Sequence, residues 1–219
     1  MKKSVKAIIF DMDGVIVDSE PIHERSEIEV CREFGMNVPK EEWDNFRGKK
    51  LEDIFSYTSQ EFGTGKEPIE KMIKRKIELY LKYALREIKL IRGALDFLRE
   101  LEKSQKYRYA LTTSGRRNQQ EKILKKLKLD DFFPIMVTAE DVRKGKPNPE
   151  PYLLTVEKLG EKPNKCLVIE DSDNGIVSAK AAGCQTCGIT TTFSYKVLKM
   201  AGADLIVSNF EELSERLLD

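Results

Sequence analysis

The sequence has few of the residues that build disulfide scaffolds and zinc centres. It contains four cysteines and one histidine in 219 residues, too few for a disulfide framework or a His/Cys zinc site. Cys184 and Cys187 have the C-x-x-C spacing. They lie in a predicted loop entering a strand, whereas redox motifs of this type occupy strand-to-helix turns. We therefore expect these cysteines to pack in the core.

The sequence also lacks an excess of charges of one sign, and it lacks long apolar runs. Lys and Arg total 38 against 37 Asp and Glu, a net charge of +1, so a broad nucleic-acid-binding surface is not expected. No apolar run approaches the roughly 20 residues of a membrane-spanning helix. The apolar stretch after Met1-Lys2-Lys3 is too short for a secretory signal. We expect a soluble cytoplasmic protein with neither nucleic-acid nor membrane partners.

The order of apolar patterns predicts an α/β fold. A buried strand over Val5–Phe10 is followed by an almost wholly helical stretch, and from about Ile91 strands alternate with helices. This alternation favours a doubly wound, Rossmann-like parallel sheet with helices on both faces. At about 150 residues per domain the chain holds about one and a half domains. We predict an α/β core at residues 1–16 and 90–219, with an all-helical insert at residues 17–89.

Individual elements follow from the spacing of apolar residues. Helices within the insert are predicted at Pro21–Phe34, Lys40–Arg47, Leu51–Phe62 and Glu67–Leu85. Later strands are predicted at Tyr107–Thr112, Ile135–Thr138, Cys166–Ile169, Thr186–Ile189 and Leu205–Val207. The helices between and after them are predicted at Gly93–Lys103, Asn118–Leu127, Pro149–Leu159, Asn174–Ala182 and Glu211–Leu218. Asp173 is the predicted N-cap of the helix at Asn174–Ala182.

Chemically active residues follow four predicted strands at their carboxyl ends, where open α/β sheets bind ligands. In chain order they are Asp11 and Asp13, Thr113 and Ser114, Lys146, and Glu170 with Asp171. Four carboxylates at one sheet edge repel one another unless a cation lies among them. Oxygen ligands favour a hard divalent ion, Mg²⁺ first, with Mn²⁺ or Co²⁺ as substitutes. Such an ion beside hydroxyls, backbone donors and a lysine can hold a phosphoryl group.

The two acids of the D-x-D sequence suit different tasks. Asp11, when ionised, can attack phosphorus and form an aspartyl phosphate, which is reactive enough for water to clear. Asp13 would protonate the leaving oxygen and then deprotonate the incoming water. Gly14 lets the chain turn sharply out of the sheet. The alternative is that these acids only cap a helix or face solvent.

The run Asp11–Pro21 resembles the first motif of the haloacid dehalogenase superfamily, in its β-phosphoglucomutase-like subgroup. Thr113, Lys146 and the pair Glu170-Asp171 are similar to the second, third and fourth motifs, in the same order along the chain. The resemblance covers essentially the whole sequence. It implies a doubly wound core with a helical cap that closes over the active site.

The resemblance also implies roles for these residues. Asp11 would be the nucleophile and Asp13 the acid/base. The predicted Mg²⁺ ligands are Asp11, the Asp13 carbonyl, Glu170 and Asp171. The transferring phosphoryl group would be bound by Thr113, the Ser114 amide and Lys146. Each of these residues also has an alternative interpretation without a catalytic role. Lys146 would be an ordinary surface lysine, and Glu170-Asp171 would only cap a helix. Thr113 and Ser114 would only end a strand.

Four residues of the insert are candidate substrate contacts. His23 aligns with a histidine near the cap hinge of the mutase subgroup, although an ordinary helix position is an equal alternative. Arg47, Lys49 and Lys76 could contact substrate or could be solvated helix charges.

The predicted reaction is hydrolysis of small phosphorylated metabolites, sugar phosphates foremost, by a monomeric enzyme. The mutase subgroup holds a second phosphate with an arginine in the cap, and this sequence has Leu51 at that position. A neighbouring lysine lacks the bidentate geometry of arginine. β-Phosphoglucomutase activity therefore stays an alternative. A receiver-like phospho-aspartate module is a further one, which the cap-sized insert disfavours.

Overall fold

The computed structural model describes residues 5–43 and 45–218. The Met1-Lys2-Lys3 start and the outermost ends of the predicted core ranges lie outside the described residues, as does one position of the predicted insert. The chain divides into two compact units, Met1–Asp18 with Lys89–Asp219 and Ser19–Ile88. Each unit is described separately.

The first unit contains a six-stranded parallel sheet, in the spatial order β5-β4-β1-β6-β7-β8. Its strands are β1 (Ala7–Phe10), β4 (Arg108–Thr112), β5 (Met136–Val137), β6 (Cys166–Glu170), β7 (Gln185–Ile189) and β8 (Leu205–Val207). A short antiparallel pair, β2 (Val17–Asp18) and β3 (Lys89–Leu90), joins the two chain segments of this unit. The predicted doubly wound parallel sheet is confirmed.

Five helices of the first unit precede or connect strands of the parallel sheet, and a sixth follows the last strand. They are α5 (Ala94–Ser104), α6 (Arg117–Leu127), α7 (Glu150–Leu159), α8 (Asp173–Ala181), α9 (Tyr195–Met200) and α10 (Phe210–Leu217). The core between α7, α8 and the sheet contains fully buried side chains such as Ile9, Tyr152 and Val168. Cys184 and Cys187 are buried and free, which confirms that they are packing residues.

The register of the three central strands determines which residues meet at the sheet edge. Phe10, the last residue of β1, pairs with Leu111 of β4 on one side and with Ile169 of β6 on the other. The next positions, Asp11, Thr112 and Glu170, therefore lie at one level, at the carboxyl edge of the sheet. This is also where the strand order reverses, because the chain goes from β1 towards β5 and then returns to β6. Ligands of doubly wound folds bind at such a point.

The second unit is helical throughout its described elements. They are α1 (Glu20–Glu33), α2 (Lys40–Trp43), α3 (Leu51–Phe62) and α4 (Ile69–Glu87). α4 packs against both α1 and α3, and its buried face includes Met72, Leu79 and Ala84. None of the helices formed by residues 5–43 and 45–218 has the length and apolar composition required to cross a bilayer.

The short strands β2 and β3 were not predicted and two helices differ from the sequence prediction, whereas the boundaries of the other strands and α-helices agree within two residues. The helix predicted at Lys40–Arg47 is a single turn that ends at Trp43, followed by hydrogen-bonded turns at Asn45 and Phe46. Helix α9 was not predicted, because its six residues are too few to establish an apolar period. The Ser194 hydroxyl caps it by accepting from the Val197 amide at 3.5 Å.

Candidate active site

Lys146 joins two buried carboxylates at the carboxyl edge of the sheet. Its Nζ lies 2.5 Å from Asp11 Oδ1 and 2.7 Å from Glu170 Oε1, and it donates a third hydrogen bond to the Thr112 carbonyl at 3.2 Å. The Lys146 side chain is only 7% exposed. The chain therefore brings the third predicted motif into direct contact with the first and the fourth.

The Glu170 carboxylate is held by five hydrogen-bond donors. Oε1 accepts from Lys146 Nζ and from the Tyr152 hydroxyl, both at 2.7 Å. Oε2 accepts from the Asp171 amide at 3.1 Å, and from the Ser172 amide and hydroxyl at 3.2 and 2.8 Å. An ionised carboxylate offers about four lone-pair sites, so protein donors already occupy Glu170.

Three carboxylates are placed close enough to share a cation. Asp11, Glu170 and Asp171 each offer an oxygen, and these oxygens lie within 4.8 Å of one another. All three residues are buried, and Lys146 supplies a single positive charge among them. A cluster of hard oxygen donors with surplus negative charge fits a divalent cation such as Mg²⁺.

Burial and mutual repulsion shift the acidities of these groups. Burial raises the pKa of Asp11 to about 7, with Lys146 acting in the opposite direction. Burial, then the charges of Glu170 and Asp11, raise the pKa of Asp171 well above its usual value. Burial also acts to raise the pKa of Glu170, but Lys146 and the hydrogen bonds to this carboxylate outweigh it and hold the pKa low. Without a cation, Asp11 and Asp171 are therefore the carboxyls that take up a proton most readily, whereas Glu170 stays ionised.

The D-x-D segment continues from β1 into a tight turn. Gly14 has φ +75°, a left-handed conformation that glycine adopts without strain. Its amide donates to the Val17 carbonyl at 2.8 Å, and its carbonyl accepts from the Thr191 hydroxyl at 2.5 Å. A Cβ at Gly14 would overlap Asp171 Oδ2. Asp13, within this turn, is half-buried.

Thr113 and Ser114 follow β4, next to this edge. Thr113 is buried and its hydroxyl oxygen accepts from the Gly115 amide at 3.0 Å and from Gln120 Nε2 at 3.4 Å. Because these donors use the oxygen lone pairs, the Thr113 hydroxyl hydrogen can be donated to a ligand. Ser114 is exposed.

The N-cap of α8 differs from the prediction. Ser172, not Asp173, caps the helix, with its hydroxyl oxygen accepting from the Gly175 amide at 3.1 Å. Asp173 is the first helical residue, and its carboxylate accepts from the Asn174 amide at 2.8 Å. Ser172 takes this position because the same hydroxyl also donates to Glu170, which ties the start of α8 to the site.

In the helical unit, the four candidate substrate residues line one cavity of about 300 Å³. They are His23, Arg47, Lys49 and Lys76. Lys76 is 4% exposed and donates to His23 Nδ1 at 2.6 Å, with Glu27 Oε1 3.3 Å away. Burial raises the pKa of Glu27, against the effect of Lys76. Three carboxylates, Glu20, Glu24 and Glu27, also line the cavity, which therefore carries charged side chains of both signs.

Sequence patterns did not identify Tyr152, Gln120 or Thr192. Tyr152 contacts Glu170, Gln120 contacts Thr113, and Thr192 donates a hydrogen bond that lowers the pKa of Asp171. One feature of the sequence could have indicated Tyr152: it is a tyrosine in the first turn of the helix that follows Lys146. The other two lie on helix and loop surfaces that only the packing brings to this edge.

A parallel α/β sheet with acids, hydroxyls and a lysine at the carboxyl ends of its central strands defines a doubly wound protein with a polar binding site at that edge. The family model described as haloacid dehalogenase-like hydrolase matches residues 8–189. Glycerol-1-phosphate phosphohydrolase 2 of Saccharomyces cerevisiae is 33% identical, over 95% of this chain and 84% of that protein. Phosphorylated carbohydrates phosphatase of Thermotoga maritima is 31% identical, over 96% and 97%.

The structural comparison agrees with the sequence comparison. The crystal structure of a putative beta-phosphoglucomutase from Thermotoga maritima has a TM-score of 0.81 and 31% identity, covering 98% of this chain and 99% of that chain. The protein therefore belongs to the haloacid dehalogenase-like hydrolase family. This confirms the family predicted from the four motifs, and the names of its relatives support the predicted enzyme class, a phosphoric monoester hydrolase.

Proposed function

We propose that this protein is a Mg²⁺-dependent phosphatase that hydrolyses small phosphorylated metabolites, sugar phosphates foremost, through an aspartyl phosphate on Asp11. The observation that carries the proposal is the buried contact of Lys146 with Asp11 and Glu170 at the end of β1 and β6. The phosphatase names of two relatives support the substrate class.

In the proposed reaction, an Asp11 carboxylate oxygen attacks phosphorus and the bond from phosphorus to the leaving oxygen breaks. Asp13 gives its proton to that oxygen, and the dephosphorylated product departs. Water then attacks the phosphorus of the aspartyl phosphate while Asp13 takes the proton from that water. The phosphorus–Asp11 bond breaks, so inorganic phosphate is released and both aspartates return to their starting states.

The other strand-end residues would position and neutralise the phosphoryl group. Lys146 keeps Asp11 in place and offsets the charge that the phosphoryl group brings. Thr113 would donate its hydroxyl hydrogen, and the Ser114 amide would donate beside it. Thr113 and Ser114 directly follow β4, and Lys146 is held by its contacts with Asp11 and Glu170, which limits the displacement of these groups during the reaction.

The proposed metal ligands are Asp11, the Asp13 carbonyl, Glu170 and Asp171. Bound Mg²⁺ would supply positive charge for the transferring phosphoryl oxygens, and Mn²⁺ or Co²⁺ could replace it. Since five protein donors already occupy Glu170, Asp11 and Asp171 are the carboxylates with the greater coordinating capacity.

The helical insert, residues 17–89, is proposed as the cap domain that selects substrates. Its cavity presents His23, Arg47, Lys49 and Lys76, a donor-rich set suited to hydroxyl and phosphate oxygens. We also propose that the enzyme acts as a cytoplasmic monomer on small molecules, without nucleic-acid or membrane partners.

A phosphate-release screen tests the proposed function. Purified protein is assayed with hexose, pentose, tetrose and glycerol phosphates in Mg²⁺, in excess chelator, and after Mg²⁺ is restored. Multiple turnovers that stop in chelator and return with Mg²⁺ are expected. Activity that persists in metal-free buffer would contradict the metal role, and a single phosphate per protein would favour the receiver-like alternative.

A separate assay tests for mutase activity, because one structural relative is titled a putative beta-phosphoglucomutase. Conversion of β-glucose 1-phosphate to glucose 6-phosphate is followed with a bisphosphate primer. Phosphate release without conversion is the expected result. Conversion that outpaces phosphate release would assign the protein to the mutases instead.

A further inference from the structure

Tyr152 is the buried aromatic residue that touches two members of the candidate site. It lies in the first turn of α7 and is fully buried. Its hydroxyl is 2.7 Å from Glu170 Oε1, and its ring face lies 4.9 Å from the Lys146 ammonium. None of the proposed reaction steps uses this residue.

The Tyr152 hydroxyl acts as a neutral donor to Glu170. A tyrosine phenol carries its proton at neutral pH, so Tyr152 is the donor of the 2.7 Å hydrogen bond to Glu170 Oε1. Glu170 is the acceptor because its carboxylate faces five hydrogen-bond donors, Lys146 Nζ among them. The hydrogen bond is therefore charge-assisted, the stronger kind.

Tyr152 and Lys146 donate to the same oxygen of Glu170. Lys146 is shared between this oxygen and Asp11 Oδ1, so the two carboxylates compete for one ammonium. The hydrogen bond from Tyr152 partly neutralises the negative charge on Glu170 Oε1. The attraction of this oxygen for the Lys146 ammonium is therefore weaker. More of the ammonium charge then stays directed at Asp11.

We propose that Tyr152 is a positioning residue for phosphoryl transfer, which keeps Lys146 on Asp11 by satisfying Glu170. This inference rests on the proposed function, because it assigns Asp11 the attack on phosphorus. It adds α7 to the elements that determine the reaction rate.

The test compares Tyr152→Phe with Tyr107→Phe. Both variants lose one phenol hydroxyl and keep the ring, but the Tyr107 hydroxyl donates to the Leu217 carbonyl at 3.1 Å, away from the site residues. We expect Tyr152→Phe to lower kcat about fivefold or more, a factor typical of one lost hydrogen bond, with KM within about twofold. Tyr107→Phe is expected to match the wild type.

A second readout requires no turnover. The side-chain ¹³Cε–¹⁵Nζ resonance of Lys146, assigned with Lys146→Arg, is recorded for each protein without substrate. We expect it to shift in Tyr152→Phe and to stay in place in Tyr107→Phe. Thermal unfolding of both variants shows whether either loses its fold.

The outcomes separate the inference from the proposed function. A wild type without turnover refutes the proposed function, and the positioning role falls with it, while the resonance still reports the contact with Lys146. With an active wild type, an unchanged kcat in Tyr152→Phe overturns the inference. A lower kcat with an unmoved Lys146 resonance also overturns it, because the hydroxyl would then act by another route.

Discussion

At the scale of single residues, the candidate site contains more acidic than basic side chains. Asp11, Glu170 and Asp171 are buried carboxylates, and Lys146 lies in contact with two of them. Glu170 is stabilised as an anion by its donors, whereas burial, with the charge of Glu170 beside them, raises the pKa values of Asp11 and Asp171. A divalent cation would remove this imbalance, which is the physical reason to expect one here.

The shifted pKa of Asp11 predicts how stability depends on pH without metal. Its pKa is about 7 in the folded protein against an ordinary 3.8, so the folded state holds the proton more tightly than the unfolded state. Its stabilising contribution is complete below about pH 4 and is lost as the pH rises through about 7, at about 1.4 kcal/mol per pKa unit.

Urea unfolding of the wild type and Asp11→Asn between pH 5 and 8, in chelator, measures this contribution. The wild type should lose stability relative to the variant as the pH rises, since the asparagine does not titrate. Acids remote from the site titrate alike in both proteins and cancel, whereas Asp171 senses the charge of Asp11, so the difference measures Asp11 together with its effect on Asp171. A stability difference that stays constant with pH would show that burial does not raise the pKa of Asp11.

At the scale of elements, the turn after β1 determines where Asp171 lies. Gly14→Ala would place a methyl group onto Asp171 Oδ2, whereas Gly35→Ala meets nothing within 4 Å at a similar φ of +80°. Both variants should lose about 1 kcal/mol of stability to the left-handed conformation. Only Gly14→Ala should weaken Mg²⁺ binding, by about tenfold or more.

Isothermal titration with Mg²⁺ and urea unfolding check this pair of variants. Equal Mg²⁺ affinity in the two proteins would mean that the turn does not constrain Asp171. Equal loss of affinity in both would mean that backbone strain, rather than the overlap with Asp171, is responsible.

Elements also show what the sequence could predict. Asp11, Lys146 and Glu170 were found because each follows a strand, and the carboxyl ends of parallel strands share one edge. Tyr152 and Gln120 reach this edge from helix faces, and their orientation depends on packing that no short spacing encodes. Ser172 was missed because Asp173, beside it, is also a favourable N-cap residue.

For the whole molecule, we propose that the α/β unit carries out the chemistry and that the helical unit selects the substrate. The strand-end residues belong to the first unit, and the cavity with Arg47 belongs to the second. The insert was predictable because about 70 residues of helical period interrupt an otherwise alternating pattern. The contents of its cavity were not predictable, since they depend on how the helices pack.

Arg47→Ala tests this separation in the complete protein. We expect KM for a preferred sugar phosphate to rise about tenfold, the loss typical of a charge-assisted hydrogen bond, with a smaller rise for p-nitrophenyl phosphate. Arg99→Ala, which removes an exposed arginine of α5, is the control. An equal change for both substrates would exclude Arg47 from substrate selection.

Turnover by Asp11→Asn is the most direct measurement of the proposed mechanism. Phosphate release from the best substrate of the screen is followed in Mg²⁺ for the wild type and the variant, with circular dichroism to confirm folding. The amide lacks the anionic oxygen that attacks phosphorus, so a folded variant should lose turnover by a factor on the order of 10⁴. A folded Asp11→Asn that releases phosphate near the wild-type rate would contradict the aspartyl-phosphate mechanism.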